Sequence, residues 1–413
     1  MSKIILYFVI GVLPLCYMAF YLGKKKASSG ETQSGKRYHS RPGHYGWYAV
    51  VWMALPSLAV SFFFSILGST KIFSVPLAMH IVTVLLLASG GLWFSLRNID
   101  PGLRARNFIE NTIKLFLITA SLVSIITTIG IVISILFESM KFFSHVSFWD
   151  FVTGTKWSPD TAFLEGAGRG GEDVAKPEFG SVPIFAGTFM VTFIALAVAV
   201  PVGLLSAVYM TEYATPKVRG MAKPILEILA GIPTVVYGFF AAITVSPLVV
   251  QVAESFGLQA DYTNALTPGL VMGIMIIPFV SSLSDDVINA IPQNLREGSL
   301  ALGMTRSETM KHVMLPAALP GIISAVLLAL SRAIGETMIV VMAAGLRPNL
   351  TWNPLEGMTT VTVRIVDALT GDQAFDSLET LSAFGLGFVL LLVTLFLNIV
   401  SSVIIRKFRK QYD

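Results

Sequence analysis

Charge is what this 413-residue sequence has least of: Asp, Glu, Lys and Arg make up 13% of it, against about a quarter in soluble domains. With 54% hydrophobic residues and a mean hydropathy of +0.73, lipid is its main solvent. Cysteine is nearly absent too. The single Cys16 lies inside the first apolar run, which excludes a disulfide framework and a cysteine-ligated metal site. His39, His44, His80, His145 and His312 are scattered over separate loops and spans without ligand spacing, so no metal site is expected. The net charge is only +4 and no basic stripe with interleaved aromatics is present, which argues against nucleic-acid binding.

A nucleotide site is missing as well. Residues 30–37 have the GxxxxGK spacing of a phosphate loop, but Arg37 stands where Ser or Thr should ligate magnesium. No strand precedes the stretch and no helix follows it, so no bound cofactor is expected.

What is abundant is apolar sequence in lengths of about 20 residues, enough to cross a bilayer. Nine such spans are predicted at 4–22, 46–68, 75–95, 113–137, 184–210, 225–250, 268–283, 318–345 and 384–405. Lys3 precedes the first and Lys24-Lys25-Lys26 follows it without a cleavage site. That is the reverse of a signal peptide's charge order, and a retained helix is expected.

Basic residues near span ends stay in the cytoplasm, so alternate loops can be weighed against each other. The set 23–45, 96–112, 211–224, 284–316 and 406–410 holds 19 Lys and Arg, the other set only eight. The reading puts the N-terminus outside the cell and the C-terminus in the cytoplasm, with large exterior loops at 138–183 and 346–383. Residues 24–45, rich in Ser and Gly, have linker composition. Pro101 and Gly102 open an amphipathic stretch suited to a cytoplasmic surface helix. The predicted organisation is therefore 1–95 as three extra helices, 96–112 as an elbow and 113–413 as a six-helix core.

Between the seventh and eighth spans stands Glu297-Gly298-Ser299-Leu300-Ala301-Leu302-Gly303, then after nine residues Val313-Met314-Leu315-Pro316. A short helix from 295 to 302 can end in a left-handed cap at Gly303. Thr305-Arg306-Ser307-Glu308 has the form of a capping box that starts another. Two short helices on a tight glycine turn make a rigid knob, with Pro316 and Pro320 opening the next span.

This loop resembles the EAA loop of ABC-importer permeases, with Gly298 and Ser299 replacing two alanines and Val313 replacing an isoleucine. The resemblance implies an all-α polytopic membrane protein, a type I permease core of six helices, here with three additional N-terminal ones. It also implies that Glu297, Gly298, Gly303, Glu308, Leu315 and Pro316 belong to the surface that docks on a separate ATPase subunit, leaving this chain non-enzymatic.

The eighth span carries Arg332 and Glu336, four residues apart and predicted to share one helix face. Counting from Pro320 at about 1.5 Å per residue puts Arg332 roughly 18 Å along the helix, near the middle of a core about 30 Å thick. Such charges either pair structurally or mark a transport path. Arg suits bidentate contact with a tetrahedral oxyanion, and a nearby Glu would limit capture.

The run Arg332-Ala333-Ile334-Gly335-Glu336-Thr337, continued by Met338-Ile339-Val340-Val341, is similar to phosphate permeases of the PstC type. So are 146–151 with 153–159, and 231–238; the likeness covers about 113–410 and leaves 1–112 without account. It implies that Arg332, Glu336 and Thr337 serve translocation in a bacterial inner membrane. The partners it implies are a PstA-type second permease, two ATPase subunits that use the ATP, and a periplasmic phosphate-binding protein. Because the Arg332 and Glu336 charges cancel, the second permease is expected to supply further positive charge. A permease for sulfate, molybdate or tungstate, or a signalling or scaffold component of a phosphate-sensing complex, remains open.

Lower-ranked candidates have structural readings beside functional ones. Trp149 and Trp157 suit an aromatic belt or reception of a binding protein. Pro233 and Gly238 suit a kink or a path-lining break. Thr188, Thr192, Ser281 and Ser282 suit helix packing or anion contact.

Overall fold

The computed structural model describes residues 2–35, 37–69, 76–159, 177–370 and 377–409. Lys36, Lys71, Arg169, Lys176 and Lys410, counted above for orientation, lie outside the described residues. Contacts divide the chain into two compact units, Met1–Gly130 and Ile131–Asp413.

In the first unit, α1 (Ser2–Ser34), α2 (Pro42–Ser69) and α3 (Leu77–Arg97) pack in sequence. The linker composition of 24–45 misled: α1 runs through its first half and α2 begins at Pro42. Lys and Ala are good helix formers, and the Ser29 and Thr32 hydroxyls bond back to the carbonyls of Lys25 and Ser28. Residues 37–41 lie along the turn after α3, where Tyr45 donates to Leu103 O at 2.9 Å and His39 N to Pro101 O at 3.2 Å.

Helix α4 (Ala105–His145) is continuous for 41 residues. No separate surface helix forms in the expected elbow, because after Gly102 nothing between 105 and 129 breaks a helix once it has begun.

The second unit takes the end of α4 and adds α5 (Phe148–Thr153), a two-strand ladder of β1 (Trp157–Ser158) on β2 (Glu178–Phe179), and α6 (Val182–Val208). There follow α7 (Pro216–Ala230), α8 (Thr234–Phe240), α9 (Ser246–Ser255) and α10 (Leu266–Asn289). The rest is α11 (Gln293–Ala301), α12 (Arg306–Thr309), α13 (Leu315–Ile334), α14 (Met338–Ala343), α15 (Val361–Thr370) and α16 (Leu378–Arg409). Among the described residues eight helical stretches are long and apolar enough to cross a membrane. The expected first span falls in α1.

Helix α10 is the centre of this unit and the most buried of those stretches. It lies parallel to α6, and Gly269 and Gly273 let the backbones close: a Cβ at either would meet Ile194 or Ala195 at 3.0 Å or less. Small residues four apart are how helices approach in lipid, where no hydrophobic force drives them together.

Single turns of wider π-helix occur at Tyr209–Tyr213, Ala241–Val245 and Met310–Met314. Pro247 and Pro316 follow two residues after the last two. Proline lacks the N–H for the carbonyl four residues back and clashes with it, and a π turn moves that carbonyl, on Ile243 or His312, aside.

The predicted sixth span needs correction. Its first six residues, 225–230, belong to α7, an amphipathic helix ended by Gly231-Ile232-Pro233, and the membrane-length stretch is Thr234–Ser255.

Candidate functional site

Helix α11 ends as its sequence suggested, in a Schellman motif. Gly303 has φ +87°, Gly303 N donates to Leu300 O at 3.0 Å and Met304 N to Ser299 O at 3.2 Å. Two residues on, Thr305 N donates to Glu308 Oε2 at 2.8 Å while Glu308 N donates to Thr305 Oγ1 at 3.3 Å, a complete capping box. The second half of the knob differs from expectation. It is no short helix but the start of a rod: α12, the π turn and α13 form one helical stretch, Arg306–Ile334. A displacement of the loop therefore moves α13 directly. Leu315 and Pro316 sit in that rod's first α-helical turn beyond the π turn.

Two buried contacts fix the knob. Ser299 Oγ donates to Thr309 Oγ1 at 3.0 Å, tying α11 to α12, which explains a serine where the resembling loops have alanine. Arg296 Nη2 lies 3.3 Å from Glu212 Oε2 in the π turn after α6, with 20% and 6% of their side chains exposed. Beneath them Met310, Met314 and Ala318 pack on Ile288 and Ala207. Outward, Glu297, Gly298 and Glu308 are exposed, as are Leu295 and Leu302, the latter 87%. This is a rigid face with two acids and three leucines, Leu300 being the third, open to a partner.

The Arg332–Glu336 pair does not form. Helix α13 stops at Ile334, Gly335 caps it at φ −90°, ψ 1°, and α14 restarts only at Met338, so the two side chains do not share a helix face. Among the described residues neither makes a salt bridge. The freed carbonyl of Glu336 accepts from Thr362 Oγ1 at 3.0 Å, and the Thr337 hydroxyl donates to Gly335 O at 3.4 Å. Unwound backbone survives at membrane depth only where protein or a cavity satisfies it. The Arg332 guanidinium instead lies 5.8 Å from the Phe279 ring centre, on the wall of a cleft of about 260 Å³.

Sequence reasoning missed Asp285, which is 1% exposed in α10. Its Oδ1 accepts from Thr211 Oγ1 at 2.9 Å, Asn289 Nδ2 at 2.9 Å and Arg219 Nη2 at 3.1 Å, and its Oδ2 from Arg219 Nη2 at 3.0 Å. Lys223 Nζ stands 3.5 Å from Asp285 Oδ2 and 3.6 Å from Asp286 Oδ1. Its signal is the acidic pair 285–286 just past the predicted span end at 283, where the sequence reads as loop. In the sequence Arg219 and Lys223 read only as topology charges.

The lower-ranked residues separate. Thr188 Oγ1 accepts from Val361 N at 3.0 Å and is occupied in holding α15, while Ser281 is buried in α10 away from the cleft that Ser282 lines. Trp157 is buried edge-on against Phe179, 5.8 Å away, whereas Trp149 is exposed. Pro233 starts α8, and Gly238 brings α8 against α14, where a Cβ would meet Met342 at 2.9 Å.

Residues 199–411 match the family model described as binding-protein-dependent transport system inner membrane component. Residues 9–75 match a second, described as phosphate ATP-binding cassette transporter, so the first helices have a family likeness that the motifs did not reveal. The Bacillus subtilis probable ABC transporter permease protein YqgH is 31% identical over 283 residues, 68% of this chain and 86% of the relative. The Mycobacterium tuberculosis phosphate transport system permease protein PstC 1 is 33% identical over 279 residues, 62% of this chain and 81% of the relative. A crystal structure of a bacterial alginate ABC transporter with an alginate-bound periplasmic protein aligns over 72% of this chain and 96% of its own, with TM-score 0.48 and 16% identity.

Proposed function

The chain belongs to the binding-protein-dependent transport system inner membrane component family, and on that premise we propose that it is the PstC-type permease subunit of an ATP-driven inorganic phosphate importer. The observation that carries phosphate is the agreement of two separate parts of the chain. Residues 9–75 match a phosphate transporter model, and the permease part is about one-third identical to named phosphate permeases.

In this reading the exposed face of Glu297, Gly298, Gly303 and Glu308, backed by Leu315 and Pro316, docks on an ATPase subunit that binds and hydrolyses the ATP. The chain itself holds no cofactor and performs no catalysis. Arg332, Glu336 and Thr337 contribute to the path, with Arg332 offering the anion a guanidinium that no carboxylate of the described residues occupies. The assembly pairs this chain with a PstA-type permease, two ATPases and a periplasmic phosphate-binding protein. The excess of basic residues in one set of loops supports a periplasmic N-terminus and a cytoplasmic C-terminus in the bacterial inner membrane.

The test is to reconstitute the chain with its genomic neighbours in proteoliposomes and follow labelled phosphate uptake and phosphate-stimulated ATP hydrolysis. Uptake competed by unlabelled phosphate, but not by sulfate, molybdate or tungstate, is the expected result. Competition by one of those oxyanions in place of phosphate overturns the assignment of cargo.

A further inference from the structure

The cleft that holds Arg332 holds a second cation, and the way that cation is bound is unlike its neighbours. Its wall includes Lys223 and Glu227 from α7, Phe279, Ser282 and Asp285 from α10, and Arg332 from α13. Asp285 is already neutralised without Lys223. Arg219 touches both carboxylate oxygens at 3.0 and 3.1 Å, and Thr211 and Asn289 both donate to Oδ1. The ammonium of Lys223 stands off at 3.5 and 3.6 Å from Asp285 and Asp286, well beyond the roughly 2.7–2.9 Å of a charge-assisted hydrogen bond. Asp286 is largely exposed, so water screens its hold on Lys223. Lys223 is therefore the loosely held cation of the cluster, on a flexible stem, beside a cavity with Arg332 on its wall.

We propose that this cleft is an oxyanion station, in which Lys223 leaves Asp285 and Asp286 to bind the passing anion together with Arg332. The proposal rests on the oxyanion-import reading and deepens it. It places the second positive charge in this chain, where the sequence had suggested that a partner must supply it. Arg219 stays behind and keeps Asp285 neutral, so moving Lys223 does not strand a buried charge. The Ser282 hydroxyl can donate to the anion. Glu227, one helical turn beyond Lys223, opposes the anion and keeps its hold weak, since transport requires release as well as capture.

The test uses the whole reconstituted importer with its binding protein and inorganic phosphate, comparing wild type with Lys223→Gln and Lys223→Arg. Lys223→Gln lowers the maximal uptake rate per assembled complex by about tenfold, the size of one lost charge-assisted hydrogen bond. KM, set by capture outside the membrane, stays unchanged, as do ATP turnover and thermal stability, so phosphate moved per ATP falls. Lys223→Arg restores most of the rate. A purely structural lysine gives the opposite pattern: less stable complex, and normal uptake by what remains. That result overturns the proposal, and so does an unaltered rate. If the wild-type complex carries a different oxyanion, phosphate is the wrong cargo while Lys223 is judged, by the same readouts, on the anion carried. If it carries no oxyanion, both readings fall.

Discussion

Helix α13 has a glycine break on either side, and the two are made differently. Before it, Gly303 turns the chain at φ +87°, and the backbone and capping bonds that shape the turn come from residues 298–308. After it, Gly335 sits at φ −90°, a conformation open to any residue, and the break is held from far along the chain by Thr362. The first is a local structure that happens to face outward. The second is a tertiary structure whose sequence reads as uninterrupted helix. A machine that takes a push at one end of a rod and changes shape at the other would be served by that asymmetry: a stiff receiver whose turn is made locally, and a joint set by its surroundings.

The joint is tested most severely at Arg332. Arg332→Gln is expected to abolish phosphate uptake in reconstituted importer while membrane assembly, measured by complex yield, is unchanged. The side chain is exposed to the cleft and gives up only its place beside Phe279. Normal uptake by this variant would reduce the joint to ordinary packing.

The receiver is tested at its buried strut. Arg296→Ala leaves Glu212 uncompensated at 6% exposure, and removal of one partner of a buried pair costs about 3–5 kcal/mol. Glu212→Gln made together with Arg296→Ala recovers part of that loss, because no lone charge then remains. Thermal unfolding of the purified complex reads both. If the two single losses simply add, the pair does not brace the knob.

These regions also mark what could be read beforehand. The cap at Gly303, the box at Thr305 and the membrane spans were legible because hydrogen bonds within a few residues, or a run of apolar side chains, decide them. Glu212, Arg219, Thr211 and Asp285 were not, since they come from three elements 66 to 74 residues apart in the case of Asp285's partners. The break at 335–337 was hidden for the same reason: its carbonyl finds a hydroxyl 26 residues away. Composition misled in 24–45, where Ser and Gly suggested a linker but Gly30 lies within α1, packed against Tyr38.

Gly303→Ala should cost about 1–2 kcal/mol, the strain of placing a Cβ in the left-handed region. No neighbouring atom lies within 4 Å of that Cβ, so the loss is backbone strain alone and leaves the fold of α13 intact. A fall in phosphate-stimulated ATP hydrolysis larger than the fall in stability would show that the turn is held rigid for coupling.

The smallest effect is expected at Gly335, where intuition places a large one. A Cβ there would come no closer than 3.7 Å to Ser331 O and 3.9 Å to Arg332 O, ordinary contact distances. Its φ needs no glycine. Gly335→Ala should therefore change stability by less than about 0.5 kcal/mol, the range of an unstrained surface substitution, because Thr362 still binds the Glu336 carbonyl. Thr362→Val, which removes that hydroxyl but keeps the branched shape, is the stronger of the two. If instead Gly335→Ala alone rejoined α13 to α14, seen as protection of the Glu336 and Thr337 amides from hydrogen exchange, the glycine itself would be the hinge. The two breaks would then be alike in cause, and the distinction between a local receiver and a tertiary joint would fail.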